Sequence, residues 1–284
     1  MEEFNSSNFW FKQALNCKME GIFRIGSDSS RAMVFKVDIN NKPAACKFLL
    51  CTNENPENKI LDEIHLTAKL GYLYPNNFCK FYKHTMCNNF NISDKIVNKN
   101  LIKQAKEYYI LNDIAKIINM NKRDIINLKN SFYRVSDDID IYDEFMESIK
   151  LNYNIKVNLM YMEIGLMDLK QWALKKRMSS DWFYLFYDVI NGLIILKEEN
   201  ITHNDLHHGN ILLAGNNKFK IIDFGESEIG YIYNYDLLKF IDGFKYYDNL
   251  PDEFNNFIQE ISNDPDTDIY QLKKIVENYL LEYA

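Results

Sequence analysis

Asp205, Asn210 and Asp223 are the residues whose types and spacing imply chemistry. The first two lie in His203-Asn204-Asp205-Leu206-His207-His208-Gly209-Asn210, and the third opens Asp223-Phe224-Gly225, eighteen positions after Asp205. One loop can thus offer a carboxylate to an incoming hydroxyl and a carboxamide oxygen to a cation, while Asp223 supplies a second oxygen ligand. Hard divalent cations such as magnesium take donors of this kind and fill their remaining sites from nucleotide phosphates. The plainer alternative is a hairpin whose Asp and Asn cap turns. Turn capping, however, does not require a histidine, two aspartates and an asparagine at these intervals.

Two apolar runs must position the set. Ile211-Leu212-Leu213 reads as a buried strand that steadies the loop, and Lys218-Phe219-Lys220-Ile221-Ile222 reads as the strand pairing with it and delivering Asp223. Upstream, Ser180-Asp181 opens a long helix whose Phe183, Phe186, Tyr187, Ile190, Leu193, Ile194 and Leu196 form a wide apolar stripe, a core face that carries the chain to His203. Near the N-terminus, Ile22-Phe23-Arg24-Ile25, residues 32–37 and residues 44–50 alternate enough to predict three antiparallel strands, with Asn40-Asn41 as a hairpin turn. Residues 58–70 have helical spacing, with Ile60, Ile64, Leu66 and Leu70 facing inward.

The 284 residues are 47% hydrophobic, enough for a sizeable core in one large domain or two lobes. A formal net charge of −7 provides no basic footprint, so nucleic acid is not expected as the main partner. Cys17, Cys46, Cys51, Cys79 and Cys87 form an odd set without metal-ligand spacing, which fits thiols kept reduced inside a cell. No basic-then-apolar signal opens the chain and no apolar run reaches membrane-spanning length, so no membrane span is expected and the expected location is cytoplasmic, in a host cell or virion if the source is viral.

The pattern His-x-Asp-Leu-x-x-x-Asn with a downstream Asp-Phe-Gly resembles the protein kinase superfamily, with His-His-Gly-Asn similar also to haspin-like kinases and to aminoglycoside and choline phosphotransferases. The resemblance implies an α+β, two-lobed fold. Residues 1–163 would form a small lobe with an antiparallel sheet and one helix, and residues 164–284 a larger helical lobe holding the loop 203–210 and the metal motif 223–225. It implies ATP and Mg2+ as cofactors, Asp205 as catalytic base, and Asn210 and Asp223 as magnesium ligands. Lys47, in Ala44-Ala45-Cys46-Lys47, would reach the nucleotide phosphates, oriented by Glu63, with Asp62 the rival if the helix register slips by one. On the same resemblance Gly26 and Ser27 would stand in the linker over the phosphates, with a plain hairpin turn as the residue-level alternative, Met162 would pack behind the adenine, Glu163 and Gly165 would read its edge, and Asp168 would reach the ribose. Asp236 would tie the C-terminal tail to the catalytic loop. For Lys47 the residue-level alternative is a solvated strand lysine, and for Glu63 a solvated helix face.

The chain also departs from the family pattern. Only Gly26 remains of the usual three glycines, and residues 87–154 insert where a short hairpin is normal, with helical spacing over 103–120 and 124–133 and an acidic run at 137–144. Asn204 replaces the arginine that elsewhere pairs with a phosphorylated loop, His207 replaces a lysine, and no Ala-Pro-Glu follows Gly225. The resemblance favours an atypical serine/threonine protein kinase acting on a protein hydroxyl, with a small-molecule kinase as the alternative and a pseudokinase binding module as the non-enzymatic one.

Overall fold

The computed structural model describes residues 11–17, 23–25, 32–39, 42–50, 56–90, 157–264 and 266–283. Gly26, Ser27, the Asn40-Asn41 turn and the insertion from residue 91 on, including its two expected helices and acidic run, lie outside the described residues. In order, the described elements are β1 (Phe11–Cys17), β2 (Phe23–Ile25), β3 (Ala32–Ile39), β4 (Lys42–Leu50), α1 (Glu57–Leu73), β5 (Phe81–Phe90), β6 (Val157–Met162), β7 (Met167–Asp168), α2 (Leu169–Ala173) and α3 (Ser179–Glu198). There follow β8 (Ile201–Thr202), a 3-10 turn His208–Asn210, β9 (Ile211–Leu213), β10 (Phe219–Ile221), β11 (Glu228–Ile229), α4 (Tyr235–Asp242), a second 3-10 turn Gly243–Tyr246, α5 (Asp252–Asn263) and α6 (Ile269–Glu282). Helices and antiparallel pairs together make this the α+β fold anticipated above. The chain divides into two compact units, one built on Glu63–Phe81 with Glu163–Ala284, the other on Ser7–Asp62 with Tyr82–Met162. The division falls inside α1.

The second unit is a sheet in the order β1-β5-β6-β4-β3-β2. β2, β3 and β4 are the three antiparallel strands expected from the alternation. β4 lies between β3 and β6 and buries Ala44, Ala45, Cys46, Lys47 and Leu49, the near-continuous burial of a strand covered on both faces. β1 was not foreseen, because Phe-Lys-Gln-Ala-Leu-Asn-Cys keeps no period of two. It joins the edge parallel to β5, with Phe11 opposite His84.

The other unit is built on α3, whose buried stripe Trp182, Phe183, Phe186, Val189, Ile190 and Leu193 follows the predicted face. Phe254, Phe257 and Ile261 of α5 and Leu272 and Val276 of α6 close over it, at the i, i+3, i+4 and i+7 spacing of amphipathic helices. Phe183 stacks on Tyr279 with ring centroids 4.4 Å apart and meets Phe254 edge-on at 5.2 Å. Each such ring, fully buried, contributes about 1.5–3 kcal/mol. The helix α2 is short, only Leu169–Ala173. Met167 and Asp168 are drawn off as β7 to pair with β9, placing Asp168 opposite Leu212, and Asp168 then caps the five-residue helix.

Candidate active site

β9 and β10 pair antiparallel with Ile211 opposite Ile221, so the loops at their two ends are brought side by side. Asn217, at φ 59°, makes the tight connection between them, a left-handed position that Asn tolerates. The loop before β9 is held from outside its own sequence. His203 is fully buried; its Nε2 meets the carbonyl of Ile222 at 2.9 Å, and its Nδ1 accepts from the Asp205 amide at 3.3 Å. A carbonyl only accepts, so Nε2 carries the proton, and burial holds the imidazole pKa below its ordinary value. Asp236 accepts from the amides of His203 and Asn204 at 2.7 and 3.0 Å, the tie between tail and loop anticipated from the sequence.

Within the loop, Asn210 donates its side-chain nitrogen to the Asp205 carbonyl at 2.8 Å and lies 3.4 Å from Asp205 Oδ2. That bond identifies the nitrogen end of the amide and leaves Oδ1 as its acceptor end. The Ile222 amide donates to the Asn210 carbonyl at 3.0 Å, bringing Asp223 alongside. Asp223 adopts φ 69°, a left-handed conformation uncommon for a residue with a side chain, and its Oδ1 accepts from the Gly225 amide at 3.4 Å. Phe224 is buried between Phe78 at 5.8 Å and the His203 ring at 5.1 Å, which anchors the turn on its apolar side. A Cβ on Gly225 would lie 3.2 Å from Glu63 Oε2 and 3.4 Å from Asp223 Oδ1, so the structure gathers Glu63 with Asp205, Asn210 and Asp223. Asp62, the rival in register, is exposed where Glu63 is buried.

Lys47 sits at the centre of its sheet, opposite Val34 and Met160, and is only 6% exposed. Met162 ends β6, opposite Ala45. Glu163 gives its amide to the Lys80 carbonyl at 2.8 Å, while its carboxylate accepts from the Lys80 amide and from Lys220 Nζ at 2.7 Å. Gly165 passes so close to β9 that a Cβ there would meet Leu212 at 2.2 Å, which accounts for the glycine by packing. Asp168 uses Oδ1 to accept from the Gln171 amide at 2.7 Å.

Four further residues belong to the site's surroundings. Lys220 is 1% exposed and donates to Glu163 and to the Pro75 carbonyl, both at 2.7 Å, a buried ion pair three residues before Asp223. Its position inside Phe219-Lys220-Ile221, a cation between buried apolar neighbours, was the available signal. Lys170 brings its ammonium within 3.4 Å of where a Gly209 Cβ would stand, and His207 lies 3.8 Å from Asp205 Oδ2 while accepting from the Gly209 amide. His208 is buried, and burial depresses its pKa to about 4. Nothing in the spacing marked Lys170 or His208, since their neighbours come from distant segments. Among the described residues no cluster of His, Cys, Asp and Glu has the makings of a separate metal centre, and no helix is long and apolar enough to cross a membrane.

A family description, the protein kinase domain, matches residues 77–235, the stretch that holds the catalytic loop and Asp223. The chain belongs to the protein kinase domain family. Among individual proteins, the serine/threonine-protein kinase CLA4 of Eremothecium gossypii is 27% identical over 139 residues, 48% of this chain and 16% of that protein. CLA4 of Saccharomyces cerevisiae is 26% identical over 136 residues, 47% of this chain and 15% of that protein. The chain thus matches about a sixth of the length of these relatives.

Proposed function

We propose that the chain is an ATP- and Mg2+-dependent serine/threonine protein kinase. The observation that carries this reading is the convergence of Asp205, Asn210 Oδ1 and Asp223 on adjoining loops of one rigid hairpin. Asp205, with a half-exposed side chain, orients an acceptor hydroxyl and takes up its proton late in the transfer. The donor set fits magnesium, being a carboxylate and an amide oxygen whose nitrogen is committed elsewhere. Bound there, magnesium would neutralise phosphate charge. Asn210 and Asp223 would hold it, Lys47 would pair with phosphate oxygens, Glu63 would orient Lys47, and Gly26 and Ser27 would cover the phosphates. Met162, the carbonyl of Glu163 and the backbone of Gly165 would receive the adenine, and Asp168 the ribose. A protein acceptor is favoured because the similar proteins are named serine/threonine kinases.

A small-molecule kinase is the second reading, favoured by the short span from Glu226 to Asn234 between the metal motif and α4. Incubation with labelled ATP, Mg2+ and either a cell lysate or a panel of aminoglycosides, choline and sugars separates the two. Label on serine or threonine of protein is the expected result. Label confined to a metabolite selects the second reading, and no labelled product overturns both.

A further inference from the structure

The catalytic loop is gripped at both ends by a buried histidine. His203 holds the first end. At the other, His208 opens the 3-10 turn that ends at Asn210, and its ring nitrogens are taken by Phe240 of α4 and by Tyr247 just beyond that helix. Nε2 meets the Phe240 carbonyl at 2.8 Å, and Nδ1 meets the Tyr247 hydroxyl at 2.8 Å. Because the carbonyl can only accept, the single proton of the neutral ring sits on Nε2, and Nδ1 accepts from the Tyr247 O–H. The ring also lies flat on Tyr247, with centroids 5.3 Å apart and planes 13° apart, and edge-on to Phe244 at 4.6 Å. A rotation of the imidazole would break both bonds and both ring contacts, so its orientation is determined from four sides.

Gly243 independently shows how closely the space is tailored. A Cβ there would stand 2.5 Å from His208 Nε2 and 2.8 Å from Cε1. Its backbone has φ −63° and ψ −24°, ordinary helical values that any L-residue adopts, so the close approach of His208 and not the backbone calls for glycine.

We propose that His208 is a positioning residue for phosphoryl transfer, a clamp of fixed tautomer between the catalytic loop and the Phe240–Tyr247 arm, with Gly243 as the clearance that lets it close. The proposal rests on the kinase reading above. The route to the chemistry is short. Asn210 is two residues on, its amide bonded to the His207 carbonyl at 2.8 Å and its side chain to the Asp205 carbonyl at 2.8 Å. Shifting His208 therefore displaces the groups that orient hydroxyl and cation together.

The test uses the full chain in steady-state transfer from MgATP to casein, with acceptor-free ATP hydrolysis, thermal melting and nitrogen-15 histidine NMR in parallel. His208→Ala is expected to lower kcat about ten- to hundred-fold, the order of loss that follows small misplacement of catalytic groups, with KM for MgATP changed less than about two-fold. Gly243→Ala should lower kcat in the same way, with Tm changed far less than kcat because the gain in helix propensity offsets part of the cost of tighter packing. The double variant should be no slower than His208→Ala alone, because the added methyl has no ring left to displace. Tyr247→Phe, which keeps the stacked ring and removes the donor, should show a smaller loss. Should His208→Ala fail to fold, the Gly243→Ala and Tyr247→Phe variants carry the test.

A Gly243→Ala variant with parental kcat overturns the clamp, as do losses that multiply in the double variant or a fall in Tm without a fall in kcat. If the parent transfers no phosphate and hydrolyses no ATP, the kinase reading fails, and NMR decides the clamp separately. It stands if His208 shows the Nε2–H tautomer in the parent and if Gly243→Ala alters that signal together with the Asn210 amide. It falls if either is absent.

Discussion

The loop 203–210 and the six-stranded sheet hold their candidate site residues by opposite means. Lys47 is positioned by a ladder: Val34 on one side and Met160 on the other set its register through backbone bonds that almost any sequence can make. The loop 203–210 has no ladder. Its shape rests on a few side chains from distant segments, namely Asp236 under two amides, His203 against Ile222 and His208 against Phe240 and Tyr247. The contrast teaches where single substitutions should separate activity from folding. In the loop a change of one side chain should disturb chemistry more than stability, whereas in the sheet only the functional residue itself should behave so.

The largest expected effect sharpens this contrast. Asp205→Ala should lower the transfer rate by about 10²–10⁴, a typical value for loss of acid–base assistance, and Asp223→Ala, which removes a proposed magnesium ligand, should also lower it severely, while circular dichroism and Tm stay near the parent in both. Lys220→Met tests the border between the two modes, since Lys220 Nζ and the Glu163 carboxylate bond to each other beside the Pro75 carbonyl, three residues before Asp223. Removing one partner of a buried pair should destabilise the chain by about 3–5 kcal/mol in urea unfolding, and Lys220→Met with Glu163→Leu should recover most of that loss. In the sheet, Leu159→Ala empties a fully buried position and should cost about 2–5 kcal/mol, with kcat per folded molecule unchanged. If Leu159→Ala instead slows transfer while leaving stability intact, the distinction between ladder and clamp is broken.

The smallest effect concerns pH, and both regions contribute. His84 in the sheet and His203 and His208 in the loop are all buried, and burial lowers each pKa from 6.5. The unfolded chain therefore takes up protons on these rings first as pH falls, so stability is full above about pH 6.5 and declines below it. Each ring contributes at most about 1.4 kcal/mol per pH unit. For His208 the decline should continue to about pH 4, where its folded form begins to protonate. Urea midpoints at pH 7.5 and 5.5 should differ in the parent, and the difference should shrink in His84→Gln. An acid-insensitive midpoint would contradict burial of neutral imidazoles.

Much of the fold was legible because its signals are local. The stripe on α3, the alternation of β2 and β3 and the apolar runs of β9 and β10 depend on residues within a few positions of one another, and periodicity reports such elements directly. Glu63 over Asp62 and the tie at Asp236 came from resemblance rather than periodicity. β1 and the short α2 escaped because their form is set by a strand far away in sequence: β5 recruits the first, and β9 draws residues from the second.

By itself the sequence determined which residue types are suited to a hydroxyl and a cation, since Asp205, Asn210 and Asp223 keep their chemistry wherever they stand, and it determined the hairpin that carries them. Only the tertiary structure decided what immobilises that chemistry: the buried Lys220–Glu163 pair, the space at Gly243, and the tautomer of His208. Those depend on which donor faces which acceptor across thirty or more residues, and such pairings arise when the chain has closed on itself.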